Sequence, residues 1–280
     1  MSEMWPEESG VPTVLAEVRE GVAIVTLNRP KCLNAWTPAM GSLYFDTLER
    51  LADNPAVRAI MVQGQGRAFC AGADMSGLNN LAAAGGSGAP ADLRSFLLPL
   101  SIGKPIVAAI RGPCYGVGFQ QALCCDVRIV SQDVKLSTAY ARRGIIGELG
   151  ITWNLTRIVG AGIAMDFMLS GRPVGAEEAL RTGLANRVVA DDALSDEAFA
   201  YCKALATECS PWAMRVIKQQ VYDDLMVSLP VAYERSDVLL KQALAGDDFA
   251  EGVRAFREKR PPAFPPLGRQ HSKIRVPSEA

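Results

Sequence analysis

The sequence predicts an α/β core of about 200 residues followed by a helical C-terminal module. Three observations carry that prediction. Short apolar runs with strand character alternate with helix-spaced apolar positions as far as about residue 150. From Ile151 onward helical spacing takes over, and only residues 185–189 still look like a strand. Two turns rich in small residues, Phe69-Cys70-Ala71-Gly72-Ala73-Asp74 and Gly112-Pro113-Cys114-Tyr115-Gly116-Val117-Gly118-Phe119, each follow a strand-like run and lead toward a helical pattern. With 280 residues, 49% of them hydrophobic, the chain is long enough to bury a substantial core.

In order along the chain, residues 13–19 and 22–27 flank Glu20-Gly21 and predict a β-hairpin. Thr37-Pro38 opens a helix, the threonine as N-cap and the proline at the first helical position. Met40, Leu43, Tyr44, Leu48 and Leu51 recur at helical spacing until Asn54-Pro55 ends it. Residues 59–62 form a short buried strand that runs into the first turn. The segment 76–92, with Gly85-Gly86-Ser87-Gly88-Ala89-Pro90, predicts a loop, either a lid beside the site or a surface insertion. A strand at 104–110, the second turn, a short helix at 119–125 and a strand at 127–130 repeat the strand–turn–helix theme. Helices then follow at 153–159, 161–169, 176–181, 193–208, 211–227, 231–244 and 248–258, before prolines 261, 262, 265 and 266 end regular structure. A boundary near Ser210-Pro211 divides the chain into domains 1–209 and 210–280, and the apolar stripes of the second predict an oligomer surface.

Charge and composition exclude several functions. With 29 basic and 30 acidic residues the net charge is -1, so no overall field recruits nucleic acid or a charged membrane surface. No apolar run reaches the roughly 20 residues of a spanning helix, and residues 1–10 are acidic and polar, unlike a secretory signal; a soluble cytoplasmic protein is expected. The seven cysteines are scattered without a Cys-x-x-Cys pair and are expected to be small buried hydrophobes. The only histidine, His271, lies in a polar tail, which argues against Ser-His-Asp or Cys-His catalysis and against a histidine metal site.

What remains is chemistry that needs few reactive side chains. Small residues let the main chain approach a ligand closely, so two N–H groups, one from each turn, are positioned to meet on a single developing negative oxygen.

Several ordered motifs resemble the crotonase superfamily, also called the enoyl-CoA hydratase/isomerase family, from about residue 13 to 264. They are Asn28-Arg29-Pro30 with Asn34-Ala35; Gly66-Arg67-Ala68-Phe69-Cys70-Ala71-Gly72-Ala73-Asp74; Lys104-Pro105-Ile106-Val107-Ala108-Ala109-Ile110; Cys125-Asp126; and Glu258-Lys259-Arg260 before Phe264. The resemblance implies a spiral of repeated ββα units with a C-terminal helical oligomerisation domain, trimers or hexamers, and an acyl-CoA substrate. Coenzyme A then arrives as part of the substrate, and no metal or redox cofactor is implied. By motif position the N–H groups that hold the thioester oxygen are those of Ala73 and Val117. Val117 stands where relatives usually carry glycine, between Gly116 and Gly118 at the opening of a helix whose dipole favours negative charge. Asp74 is expected to cap a helix. The resemblance points to Arg29, Arg67, Ala68 and Phe69 for coenzyme A, beside Ala71 and Gly72, with Lys259 and Phe264 contributing from a neighbouring subunit.

The reaction is set by the acid or base placed over the acyl carbons. Relatives that hydrate carry two glutamates, which align with Gln120 and a position near Tyr140, and neither is a carboxylate. Glutamine exchanges no proton at neutral pH, and tyrosine with a pKa of about 10 is a poor base. Glu148, isolated between Gly147 and Gly150, matches the position where some isomerases place their working carboxylate, and partial burial is expected to raise its pKa. Its structural alternative is pairing with Arg142, Arg143 or Arg157; Gln120 and Tyr140 would line the pocket. Double-bond migration with Glu148 as acid and base is the expected reaction. The alternatives are hydration with water shared by Glu148 and Gln120, or acyl-CoA binding without catalysis.

Overall fold

The computed structural model describes residues 10–75, 77, 79, 83 and 94–267. The glycine-rich stretch 85–90 and His271 lie outside the described residues.

The predicted hairpin forms from β1 (Val14–Arg19) and β2 (Val22–Leu27), joined at Glu20 (φ 52) and Gly21 (φ 78). Positive φ at both central residues matches the right-handed twist of the flanking strands. Four further strands extend the sheet: β3 (Ala59–Gly64), β4 (Ile106–Ile110), β6 (Val127–Ser131) and β8 (Arg187–Val189). The order is β1-β2-β3-β4-β6-β8, antiparallel only at the first pair. The apolar runs are continuous because both faces are covered. Ala23, Val25, Ile60, Val62, Ala108 and Ile110 join the larger core, while their neighbours Ile24, Met61 and Val107 point to the opposite side. There they meet Leu194, Ala198, Cys202 and Ala206 of α7 (Leu194–Glu208).

A second, two-stranded parallel sheet pairs β5 (Pro113–Tyr115) with β7 (Lys135–Ser137). The sequence reading put neither strand there. Single bridges extend the pairing, Cys70 with Cys114 and Trp36 with Ala73. Strands β2, β3, β4 and β6 are each followed by a short extended segment that pairs with a segment of the next unit, which is the repeated ββα spiral.

Helix α1 (Pro38–Asp53) is capped by Thr37, whose hydroxyl accepts from the Met40 N–H at 3.2 Å. At its other end the buried Lys104 ammonium donates to the carbonyls of Leu51 (2.8 Å) and Asn54 (2.6 Å), closing carbonyls left open by the helix. After the short α2 (Leu98–Ser101), α3 (Val117–Leu123) follows β5 directly. Then come α4 (Ile151–Val159), α5 (Ala161–Ser170) and α6 (Ala176–Arg181). Past α7 lie α8 (Pro211–Asp224), α9 (Leu229–Leu244) and α10 (Asp247–Glu258). No described helix is long and apolar enough to cross a membrane.

Candidate active site

The site begins with hydrogen-bond phase along the first turn. Ala71 N–H donates to Leu33 O, so its amide faces the 33–36 segment. Gly72, at φ 102, then inverts the main chain. Its carbonyl and the Asp74 N–H bracket Trp36, at 2.8 and 2.9 Å. The residue between them, Ala73, thus has its own N–H turned away from Trp36, toward the side on which Cys70 pairs with β5. Glycine permits that inversion, because an L side chain at this φ is strained.

The second turn meets it there. Tyr115 N–H donates to Cys70 O at 2.9 Å, and the single bridge between Cys70 and Cys114 sets the two turns side by side. The backbones are close: a Cβ on Gly72 would lie 3.3 Å from Tyr115 O, and one on Gly116 would lie 3.9 Å from Gly72 Cα. Gly116 (φ 50) spends its N–H on Ser137 O, and the next N–H, that of Val117, opens α3. Among the described residues neither the Ala73 nor the Val117 N–H donates a hydrogen bond. Helix α3 has only seven residues, so its contribution is this unspent donor rather than a long macrodipole. The valine side chain is buried in the core and leaves the N–H in place.

Gln120, on α3, is tied to the turn that carries Glu148. Gln120 is fully buried, and its Nε2 donates to Leu149 O at 2.6 Å, with Cys124 Sγ at 3.6 Å. Leu149 (φ 56) and Gly150 (φ 79) both lie in the left-handed region, so the turn after Glu148 is strained and Gln120 ties it to α3. Glu148 remains exposed, makes no ion pair among the described residues, and has its pKa raised by partial desolvation. The arginines weighed against it are engaged elsewhere, Arg142 on Ser170 O, Arg143 on Ala139 O, and Arg157 on Trp153 O and the Trp153 ring. Tyr140 is buried, and desolvation, then the Glu148 charge, hold its hydroxyl well above the usual tyrosine range. Gln120 Oε1 and Tyr140 Oη have no hydrogen-bond partner among the described residues.

The predicted coenzyme A group is dispersed. Arg29 is spent within the chain, its Nη1 donating to Asp74 Oδ2 (2.9 Å) and Ala35 O (2.5 Å). It thereby braces the Ala73 turn, and the Asp74 carboxylate serves that pair. Asn34 completes the brace by accepting from Arg29 N and donating to the carbonyls of Gln65 and Ala68. Ala68 and Phe69 are buried, whereas the Arg67 side chain is exposed. Lys259 is exposed at the end of α10, and the Phe264 ring is seated near Gly252 with its carbonyl accepting from Arg58 at 2.6 Å. Sequence reasoning missed Trp36 and Leu149. Trp36 follows the Asn34-Ala35 motif, a usable signal, but nothing local marks Leu149 as an acceptor.

Known proteins resemble the chain over nearly its whole length. A family model described as enoyl-CoA hydratase/isomerase matches residues 17–266. A probable enoyl-CoA hydratase of Mycobacterium tuberculosis is 36% identical over 255 residues, covering 90% of this chain and 97% of that protein. The 1,2-epoxyphenylacetyl-CoA isomerase of Escherichia coli is 30% identical over 256 residues, again covering 90% and 97%. The crystal structure of a probable enoyl-CoA hydratase/isomerase from Mycobacterium abscessus superimposes with a TM-score of 0.84 at 31% identity, covering 92% of this chain and all of that one. With the ββα spiral, two aligned turns carrying unspent amides and a match over nearly its whole length, the chain belongs to the enoyl-CoA hydratase/isomerase family of acyl-CoA enzymes, the crotonase superfamily.

Proposed function

We propose that the protein moves a double bond along an acyl-CoA. The Ala73 and Val117 N–H groups hold the thioester oxygen as it gains enolate charge, Glu148 takes a proton from the α or γ carbon, and the same carboxyl returns it at the other end. The observation that carries this reading is the Glu148 carboxylate, which makes no ion pair among the described residues and has a raised pKa, while Gln120 and Tyr140, neither of them a carboxylate, align with the two glutamates of hydrating relatives. A base with a raised pKa is better matched to neutral pH than an ordinary glutamate. Hydration with a water shared by Glu148 and Gln120 is the second reading, favoured by the free Gln120 Oε1. Assaying 3-enoyl-CoA isomerisation beside 2-enoyl-CoA hydration separates the two; Glu148→Gln with unchanged activity in both would remove Glu148 from the chemistry.

The exposed Arg67 and Lys259 suit coenzyme A phosphates. Homotrimer or hexamer formation is supported by two exposed apolar stripes, Ile217, Val221 and Leu225 along and just past α8, and Phe249, Val253 and Phe256 on α10. Light scattering on the purified protein reads the assembly directly. A cytoplasmic location accords with seven free cysteines, five of them buried.

A further inference from the structure

Helix α3 opens on the Val117 amide, and one turn later the same helix reaches across to the turn that carries Glu148. The reach is a single hydrogen bond, from Gln120 Nε2 to Leu149 O at 2.6 Å. Its direction is fixed, because a flipped amide would set two oxygens against each other there. Among the described residues Leu149 O accepts from no main-chain N–H, so the glutamine supplies its partner. Gln120 is itself immobile, being fully buried with its own main-chain N–H donating to Gly116 O at 2.9 Å.

The turn needs such a tie. Leu149 sits at φ 56, in the left-handed region that a residue with a Cβ adopts only under constraint. Its flanks are packed against neighbours: a Cβ on Gly147 would meet Met168 Cε of α5 at 2.5 Å and Thr152 Cγ2 of α4 at 2.6 Å, and one on Gly150 would lie 3.1 Å from Leu97 Cδ2. Without Gln120 Nε2 the Leu149 carbonyl loses its partner, and relaxation of φ to the ordinary negative range would rotate the peptide that joins Leu149 to Glu148 and swing the carboxylate. We propose that Gln120 is a positioning residue, which holds the Leu149 carbonyl so that the Glu148 carboxylate keeps a fixed place relative to the Val117 amide on the same helix. Gln120 moves no proton and acts on the reaction only through Glu148. The proposal rests on the reading of Glu148 as acid and base and adds what fixes that carboxylate in place.

The test is a double-mutant cycle on the full-length protein: isomerisation of 3-hexenoyl-CoA by the parent, Gln120→Met, Glu148→Gln and the double variant, with rates expressed per folded molecule and the slowest variants read with enzyme in excess. Gln120→Met keeps the length of the side chain and removes the donor. It should lower kcat about tenfold to a hundredfold with KM within about threefold of the parent. In the Glu148→Gln background the same substitution should cost less than about threefold, because the group it positions is already gone. Gln120→Asn, whose amide stops one methylene short of Leu149, should lose as much as Gln120→Met and carries the cycle if Gln120→Met does not fold. Parent kcat in the Gln120 variants, or an equal loss with and without the Glu148 carboxylate, overturns the positioning role and leaves the reading of Glu148 standing. Parent activity in Glu148→Gln, or no isomerisation by the parent, overturns that reading and the positioning role with it.

Discussion

Two carboxylates show how differently this chain uses the same chemical group. Asp126 has both oxygens spent. Oδ2 accepts from Ile106 N–H at 2.7 Å and faces Lys218 Nζ at 2.9 Å, and Oδ1 accepts from Tyr222 at 3.3 Å. Lys218 in turn donates to the carbonyls of Pro99 and Lys104, so one cluster fastens α8 to the edge of β4. Glu148 has no such company: its turn includes Leu149 at a positive φ, it makes no ion pair among the described residues, and desolvation raises its pKa. A satisfied carboxylate stabilises a fold and has nothing left for a ligand. An unsatisfied one costs stability and keeps its capacity for reaction.

Breaking the reactive side of that contrast should have the largest effect. Glu148→Gln should lower kcat about 10²- to 10⁴-fold with a smaller change in KM, read by steady-state kinetics on the preferred enoyl-CoA. Val117→Pro removes the N–H and replaces the buried valine side chain with a proline ring, at the first helical position where proline is tolerated, and should lower kcat about 10²- to 10³-fold with the circular dichroism of the parent retained. Full activity in that variant would dismiss the second oxyanion donor. On the structural side, Asp126→Ala leaves Lys218 buried beside only carbonyls and should cost about 3 kcal/mol in urea unfolding, while turnover per folded molecule stays near that of the parent. The smallest effect sharpens the comparison through pH. Desolvation raises the Glu148 pKa, so its folded-state contribution is favourable below the unfolded value of 4.5 and is lost as pH rises through the higher folded value. Glu148→Gln should therefore melt at or above the parent temperature at pH 7, with the difference closing below about pH 4. A lower melting temperature at pH 7 would mean that Glu148 has a structural partner after all.

Much of the fold was legible locally. The Glu20-Gly21 turn, the Thr37 cap and the continuous apolar runs of β2, β3 and β4 leave direct marks on the sequence. Strands β5 and β7 leave none, since three residues carry no periodicity and Pro113 disguises the first. The break between α8 and α9 was misplaced for a related reason. Helix α8 stops at Asp224 and α9 starts at Leu229, because Pro230 fits inside the first turn of a new helix. Among the proposed site residues, the small-residue turns that carry Ala73 and Val117 were legible in the sequence, as was the Glu148 carboxylate beside non-carboxylates at 120 and 140. Arg29 was not: its charge is as suited to phosphate as to Asp74, and only the fold shows which partner holds it.

By itself the sequence determined the longer strands and most helices, the glycines that let two turns invert, and which positions carry a carboxylate, because these depend on side chains within a few residues of one another. Tertiary structure alone decided that the Cys70 turn pairs with the Cys114 turn, that Gln120 reaches Leu149, and that Asp126 has partners where Glu148 has no ion pair among the described residues. Whether a polar group has a partner depends on segments far apart in the chain, and burial then sets the cost when it has none.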